Sequence, residues 1–267
     1  MGTSRSCGCV QGRAKLIGEA LTAVSEPSQG GSAPPERWLR SYGRRKGRKL
    51  SQHQSEVFSR GLARYKVDMS PQLRAEELVG IFSEPVREVW LEIGFGAGEH
   101  LIWQAEHNPH AGVIGAEPYV NGVVAALSGL EARRLGGRTK IHPEDVLSLL
   151  NWLPEASLSR AFVLFPDPWP KKRHRERRLF SPVLLDKLAR LLRPGGELRF
   201  ASDIADYAEA AIEHANAHPD FEVAGIFTSV NRGAVPDWPM TRYEEKARRQ
   251  GRSSTFISMW RRVSSFR

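Results

Sequence analysis

The sequence predicts an α/β domain built on a seven-stranded, mainly parallel sheet, with helices on both faces and an antiparallel last strand. Three observations predict it. From Val86 onward, short apolar β-type runs alternate with helical stretches, the rhythm of βαβ units. The first run ends in Gly94-Phe95-Gly96-Ala97-Gly98, a glycine cluster at a strand-to-helix turn. The last two runs, near 221–229 and 255–263, have no long helix between them, so the final strand lacks a crossover and returns antiparallel.

The elements follow in order. Residues 1–35 are rich in Gly, Ser, Ala and Pro and read as a flexible leader without a fold of its own. Their start, Met1-Gly2-Thr3-Ser4-Arg5-Ser6 before Cys7, formally matches a myristoylation signal, a pattern short enough to arise by chance. The leader has no apolar stretch of the kind that drives secretion. Residues 36–85 read as a basic arm and a helix, and 86–267 as the main domain. Within it, 86–94, 113–117, 140–142, 161–165 and 198–201 are strands. Helices lie over 101–107 and 122–135, from near Val146, and over 182–192 and 204–218. The helix from Pro182 is stopped by Arg193-Pro194-Gly195-Gly196.

Charge is the compositional anomaly. The 267 residues carry 39 Lys and Arg against 30 Asp and Glu, a net charge of +9 and a pI near 9.9. Such a surplus serves a polyanion, or solubility alone. That polyanion is a nucleic acid or an acidic membrane surface; no apolar run approaches the roughly 20 residues of a membrane-spanning helix, and no membrane partner is expected. The only cysteines, Cys7 and Cys9, lie in the leader, which leaves the body without a disulfide framework or a thiolate metal site. A reducing, cytoplasmic setting fits, and no metal is expected.

Chemistry concentrates at three places. In Glu92-Ile93-Gly94-Phe95-Gly96-Ala97-Gly98 the glycines allow a tight turn and a close ligand approach. A dinucleotide fingerprint would need glycine at 99, where this chain has Glu99. An acid two residues before Gly94 suits a cationic sulfonium and ammonium, which favours S-adenosylmethionine over NAD. Glu117, 25 residues after Glu92, is placed to accept from both ribose hydroxyls. Asp145 either touches the adenine amino group or caps the next helix, and the two roles are compatible.

The second place is Phe165-Pro166-Asp167-Pro168-Trp169-Pro170-Lys171, at the C-terminal end of the fourth strand, where open α/β sheets bind ligands. Its three prolines stiffen the loop and present Asp167 and Trp169 with little freedom. The third is a pair of cationic segments. Lys171 to Arg178 holds six Lys or Arg in eight residues, and Arg37 to Lys49 interleaves Arg44, Arg45 and Arg48 with aromatics and glycines. Both suit phosphate contacts, against the alternative of solvated charge runs.

At these residues the chain closely resembles the bacterial tRNA (guanine-N7)-methyltransferase family. The match runs from about Arg40 to the C-terminus. It includes Arg44-Arg45-Lys46-Gly47-Arg48, the loop from Glu92 to Gly98, Gly115-Ala116-Glu117-Pro118, Phe165 to Lys171, Ser202-Asp203 and Thr241-Arg242-Tyr243-Glu244. Ala116 stands where a β-branched residue is common. The resemblance implies the seven-stranded Rossmann-like class I methyltransferase sheet, S-adenosyl-L-methionine as cofactor and tRNA as partner, with the protein a monomer or homodimer. It implies transfer to N7 of a guanine, that of guanine 46 in the variable loop.

The resemblance also distributes the residues. Glu92, Gly94, Gly96, Gly98, Glu117, Asp145 and Asp167 would line the cofactor side. Lys171, Asp203, Thr241, Arg242, Tyr243 and Glu244 would hold the substrate. Arg173, His174, Arg175, Glu176, Arg177 and Arg178 would face RNA with Arg44, Arg45 and Arg48. Asp167 carries the catalytic expectation as an electrostatic positioner. It is not a base, because guanine N7 has a free lone pair. Two rival readings stand beside this one: a small-molecule or protein methyltransferase, which leaves both basic segments idle, and a non-catalytic RNA-binding subunit, which leaves the acids of the cofactor loop idle.

Overall fold

Apolar runs bounded by glycine, proline or helix caps settle as strands, and the computed structural model places them in one sheet. It describes residues 42–43, 45–231 and 237–263. The strands are β1 Glu88–Ile93, β2 Ala111–Ala116, β3 Thr139–His142, β4 Leu158–Leu164, β5 Leu192–Ser202, β6 Phe221–Thr228 and β7 Thr255–Arg261. The helices are α1 Gln52–Tyr65, α2 Glu99–His107, α3 Val120–Ala132, α4 Val146–Trp152, α5 Pro182–Leu191, α6 Ala205–Ala217 and α7 Arg242–Arg249. Ser51, Asp145, Ser181 and Thr241 cap α1, α4, α5 and α7 with their side chains, which fixes where those helices begin.

The sheet order is β3-β2-β1-β4-β5-β7-β6. β1 to β5 pair in parallel, and β7 runs antiparallel to both β5 and β6, as the missing crossover led one to expect. The chain therefore builds outward from β1 in one direction and restarts at β4 in the other. That reversal leaves a crevice beyond the C-terminal ends of β1 and β4, the place where such sheets bind ligands.

The two-residue period of β1 divides the core. Val89, Leu91 and Ile93 join one cluster with Leu149 of α4, Leu184 and Leu188 of α5 and Tyr207 of α6. Trp90 points the other way, into a cluster with Tyr65 of α1, Leu101 of α2 and Val123 and Leu127 of α3. Helices thus cover both faces. The same alternation turns Glu92 toward α2, where it is 3% exposed.

Two local expectations change. The interval between β6 and β7, read as free of any long helix, holds the eight-residue α7, a polar helix of which Glu244 and Ala247 are buried. The Arg193-Pro194-Gly195-Gly196 stop is also the start of β5. Leu192 already pairs with Leu158, the exposed residues 193–195 bulge away, and pairing resumes at Arg160 with Glu197. No helix among the described residues is long and apolar enough to cross a membrane. The leader 1–35 and Arg44 lie outside the described residues.

Candidate active site

A cavity of about 340 Å³ opens beyond the C-terminal ends of β1, β2 and β4, within the size range of small-molecule sites. Ile93, Gly94 and Gly96 form its floor, Glu117 and Tyr119 one wall, and Phe165, Asp167 and Trp169 the other. Tyr243 of α7, Arg177 and the arm residues Tyr42 and Gly43 close it.

The floor is shaped by backbone that side chains would spoil. Gly98, at φ +83°, precedes α2, and a Cβ there would lie 2.7 Å from Ala126 Cβ. Gly96, at φ +58°, faces the Tyr243 hydroxyl at 2.9 Å from where its Cβ would be. Glu117 secures this loop. Its Oε2 accepts from the Gly96 amide at 2.8 Å and its Oε1 from the Tyr119 amide at 2.8 Å. Each oxygen keeps a lone pair that can accept a further hydrogen bond. Burial pushes the Glu117 carboxyl above its ordinary value, and the two amides oppose that shift only in part.

Because the folded-state value is raised, Glu117 takes up its proton at higher pH than a free glutamate, losing the charge that ribose hydroxyls would donate to. Affinity for S-adenosylhomocysteine is therefore expected to fall on acidification, beginning above the ordinary glutamate range. Glu117→Gln should weaken binding about tenfold or more, since it keeps one acceptor oxygen and sets its NH₂ donor against a backbone amide. Calorimetric titration from neutral pH downward checks both, and an affinity unchanged by the substitution would remove Glu117 from the cofactor site.

The opposite wall is strained. Phe165 and Trp169 bracket Asp167 at φ +50° and +39°, values that bulky residues adopt at a cost of about 1–3 kcal/mol each. Several contacts hold them there. The Phe165 amide donates to Ala201 O at 2.8 Å, and its ring stacks on Tyr243 at 6.3 Å. Asp167, between them, sits at the cavity mouth with one side exposed. Desolvation against the wall pushes its carboxyl above the ordinary aspartate value.

The cationic run splits by role. Lys171, Arg173, Arg175 and Glu176 are exposed on and beside a 3₁₀ turn, Lys172–Arg177, and Arg175 pairs with Asp206 at 2.6 Å. Arg177 lies over the Tyr42 and Trp169 rings at 5.3 and 5.2 Å, and His174 meets Trp169 edge-on at 5.9 Å. Arg178 is a correction to the sequence reading. It is 5% exposed, donates to Pro168 O at 2.9 Å and to Asp206 at 2.9 Å, and lies over Tyr207. A buried guanidinium with its donors engaged braces the Asp167 loop and is not free to meet a phosphate.

Other expected residues are placed as follows. Arg45 and Arg48 are exposed on an arm tied to α3. Asn121 accepts from the Gly47 amide at 2.9 Å and donates to Arg48 O at 3.0 Å, while the Val120 amide donates to Arg45 O at 3.0 Å. Asp145 accepts from the Leu147 amide at 3.0 Å as the cap of α4, and its neighbour Val146 reaches the cavity instead. Thr241 accepts from the Glu244 amide at 3.3 Å, Arg242 pairs with Glu99, and Glu244 is buried. Asp203 is bound by Arg252 at 2.6 Å. Glu92 borders a smaller recess beside Thr241 and Tyr243. Trp169, presented by the proline-stiffened loop, does line the cavity, whereas Tyr42 and Asn121 are not legible as site residues, because what places them is packing between segments far apart in the chain.

Sheet order, glycine loop and the carboxylate at the end of β2 together define an S-adenosylmethionine-dependent methyltransferase domain. The residues present fit that cofactor: the glycine floor admits a ligand close to backbone, and Glu117 keeps acceptor capacity where a ribose would lie. A family model described as "Putative methyltransferase" matches residues 86–257. The tRNA (guanine-N(7)-)-methyltransferase of Paramagnetospirillum magneticum is 47% identical over 90% of this chain and 100% of its own length. That of Agrobacterium fabrum is 41% identical over 83% of this chain and 94% of its own. The chain belongs to the tRNA (guanine-N(7)-)-methyltransferase family.

Proposed function

We propose that this protein transfers the methyl group of S-adenosylmethionine to N7 of a guanine in tRNA, at guanine 46 of the variable loop, and that it works in the cytoplasm, where tRNA is. The observation that carries the reading is Asp167. It stands on the wall of the cofactor cavity in a strained, proline-stiffened loop that continues directly into the exposed cations of the Lys172–Arg177 turn. One loop thus joins a methyl-donor pocket to a phosphate-binding surface. A small-molecule methyltransferase would have no use for that continuity, and a non-catalytic binder none for the pocket.

When bound, S-adenosylmethionine supplies an electrophilic methyl group on a sulfonium. Guanine N7 is an unprotonated nucleophile, so the new N–C bond forms as the S–C bond breaks and no proton has to be removed. The protein's work is positioning and charge. Asp167 accepts from the N1–H and N2–H₂ edge of the base and stabilises the positive charge that develops on the ring. Glu117 and the glycine floor fix the nucleoside end of the donor. Arg173, Lys171 and the arm cations Arg45 and Arg48 receive the RNA backbone.

Arg173→Ala is expected to weaken tRNA binding and to reduce the slope of log affinity against log salt by about one, with cofactor affinity unchanged. Filter binding across a salt series measures it, and an unaltered slope would take Arg173 out of the phosphate-binding set. The position of methylation is read by borohydride and aniline cleavage of the product tRNA. Scission at guanine 46 is expected, and scission elsewhere would move the site.

A further inference from the structure

Glu92 and His100 are 3% and 2% exposed, and their contact at 2.8 Å, His100 Nδ1 to Glu92 Oε2, is buried. The other ring nitrogen is occupied as well. Gln104 Nε2, one helical turn along α2, lies 3.0 Å from His100 Nε2 and donates to Asp237 O at 2.9 Å. Gln104 Oε1 accepts from Asn108 Nδ2 at 2.9 Å. The amide can therefore face only one way. Reversing it would set its oxygen against the Asp237 carbonyl and its nitrogen against the Asn108 amide nitrogen.

That orientation dictates the proton on His100. Gln104 Nε2 can only donate, so His100 Nε2 must be the acceptor, and the ring is neutral with its hydrogen on Nδ1, aimed at Glu92. A doubly protonated ring would put a donor against a donor. Asp237 is itself held by two ion pairs, its carboxylate lying 2.8 Å from Arg160 and 3.0 Å from Arg199. A continuous hydrogen-bonded chain, buried at Glu92, His100 and Gln104 and partly exposed at Asp237, therefore runs from the glycine loop to the segment that leads into α7.

We propose that His100 and Gln104 are positioning residues for the cofactor. The neutral His100 ring orients the Glu92 carboxylate while leaving its negative charge intact, and Gln104 locks that tautomer and ties the glycine loop to the segment ahead of Thr241 and Tyr243. The proposal rests on reading Glu92 as a cofactor contact, in the recess it shares with Gly94, Thr241 and Tyr243.

The test has two readouts on the full-length protein. With ¹⁵N-labelled histidine, long-range ¹H–¹⁵N correlation reports the tautomer of His100, identified by the signal lost in His100→Phe. The neutral Nδ1–H form is expected at neutral pH, with Gln104→Leu losing the single tautomer. An Nε2–H form or an imidazolium in the wild type would overturn the proposal. The second readout is affinity. His100→Phe should raise the Kd for S-adenosylmethionine about tenfold, the loss of one hydrogen bond to a charged group, with kcat at saturating cofactor little changed. His100→Asn, which retains a donor, should recover part of that loss. Should His100→Phe not fold, Gln104→Leu carries the affinity arm with a smaller rise.

An unchanged Kd in folded variants would overturn the positioning role whatever the tautomer. Neither readout involves RNA. A failure to methylate tRNA would therefore count against the proposed function alone, and an unshifted Kd against this inference alone.

Discussion

Asp167→Ala is expected to lower kcat by about 10²–10³-fold, the scale seen when one preorganised group facing developing transition-state charge is removed. The product guanine is cationic, and Asp167 is the carboxylate that the strained wall between Phe165 and Trp169 presents at the cavity mouth. Glu117 remains in the variant, so S-adenosylhomocysteine should still bind, with affinity altered far less than kcat. Asp167→Asn separates charge from shape. It keeps the volume but loses the anion and one acceptor, and should recover little. Because desolvation raises the Asp167 carboxyl, activity should decline on acidification before an ordinary aspartate would protonate. Steady-state kinetics with cofactor binding measured in parallel check these points, and a variant that loses binding and turnover equally would reassign Asp167 to donor binding.

The largest stability effect is expected at Arg199. It is 5% exposed, between Glu197 at 2.8 Å and Asp237 at 3.0 Å, with Arg160 bridging the same two acids at 3.3 and 2.8 Å. Its guanidinium also lies over Trp238 at 5.1 Å. Arg199→Met keeps the apolar stem but leaves two acids to one cation. Breaking such a buried pair costs about 3–5 kcal/mol, and the remaining Arg160 places this case at the lower end. Burial would raise Asp237, yet the hydrogen bond and charge of Arg199, then of Arg160, outweigh it and hold the carboxyl below its ordinary value. A lowered folded-state value contributes stability above the unfolded aspartate value, and that stability is lost as pH falls through the lowered one. In Arg199→Met the acid transition should move to higher pH. Urea unfolding at neutral and acid pH measures both, and wild-type stability in the variant would mean that the network is energetically idle.

Both effects depend on parts of the molecule that the sequence discloses unequally. The strands are legible because apolar runs are punctuated by Gly, Pro and caps, and β1 with its glycine loop marks where the cavity lies. The capping by Asp145 is local, two residues from the Leu147 amide, and the sequence offers it beside the adenine contact without choosing between them. Arg178 is not. Within Lys171 to Arg178 nothing marks it out, and its burial comes from Asp206 and Tyr207, on α6. Helix α7 hides for a related reason, since it is highly charged and buries too few residues to show an apolar stripe. The tie between the arm and Asn121, and the partnership of Arg199 with Asp237, join segments far apart in the chain and come from tertiary packing that no local pattern announces.

Under the proposed function this cavity delivers a methyl group to guanine N7 of tRNA. The most direct test is incubation of the purified protein with methyl-labelled S-adenosylmethionine and unmodified bulk tRNA, followed by nucleoside analysis, with Asp167→Ala alongside. Label in 7-methylguanosine, lost in the variant, is the expected result. No label in RNA from a protein that still binds the cofactor would contradict the claim and turn attention to a small-molecule or protein acceptor.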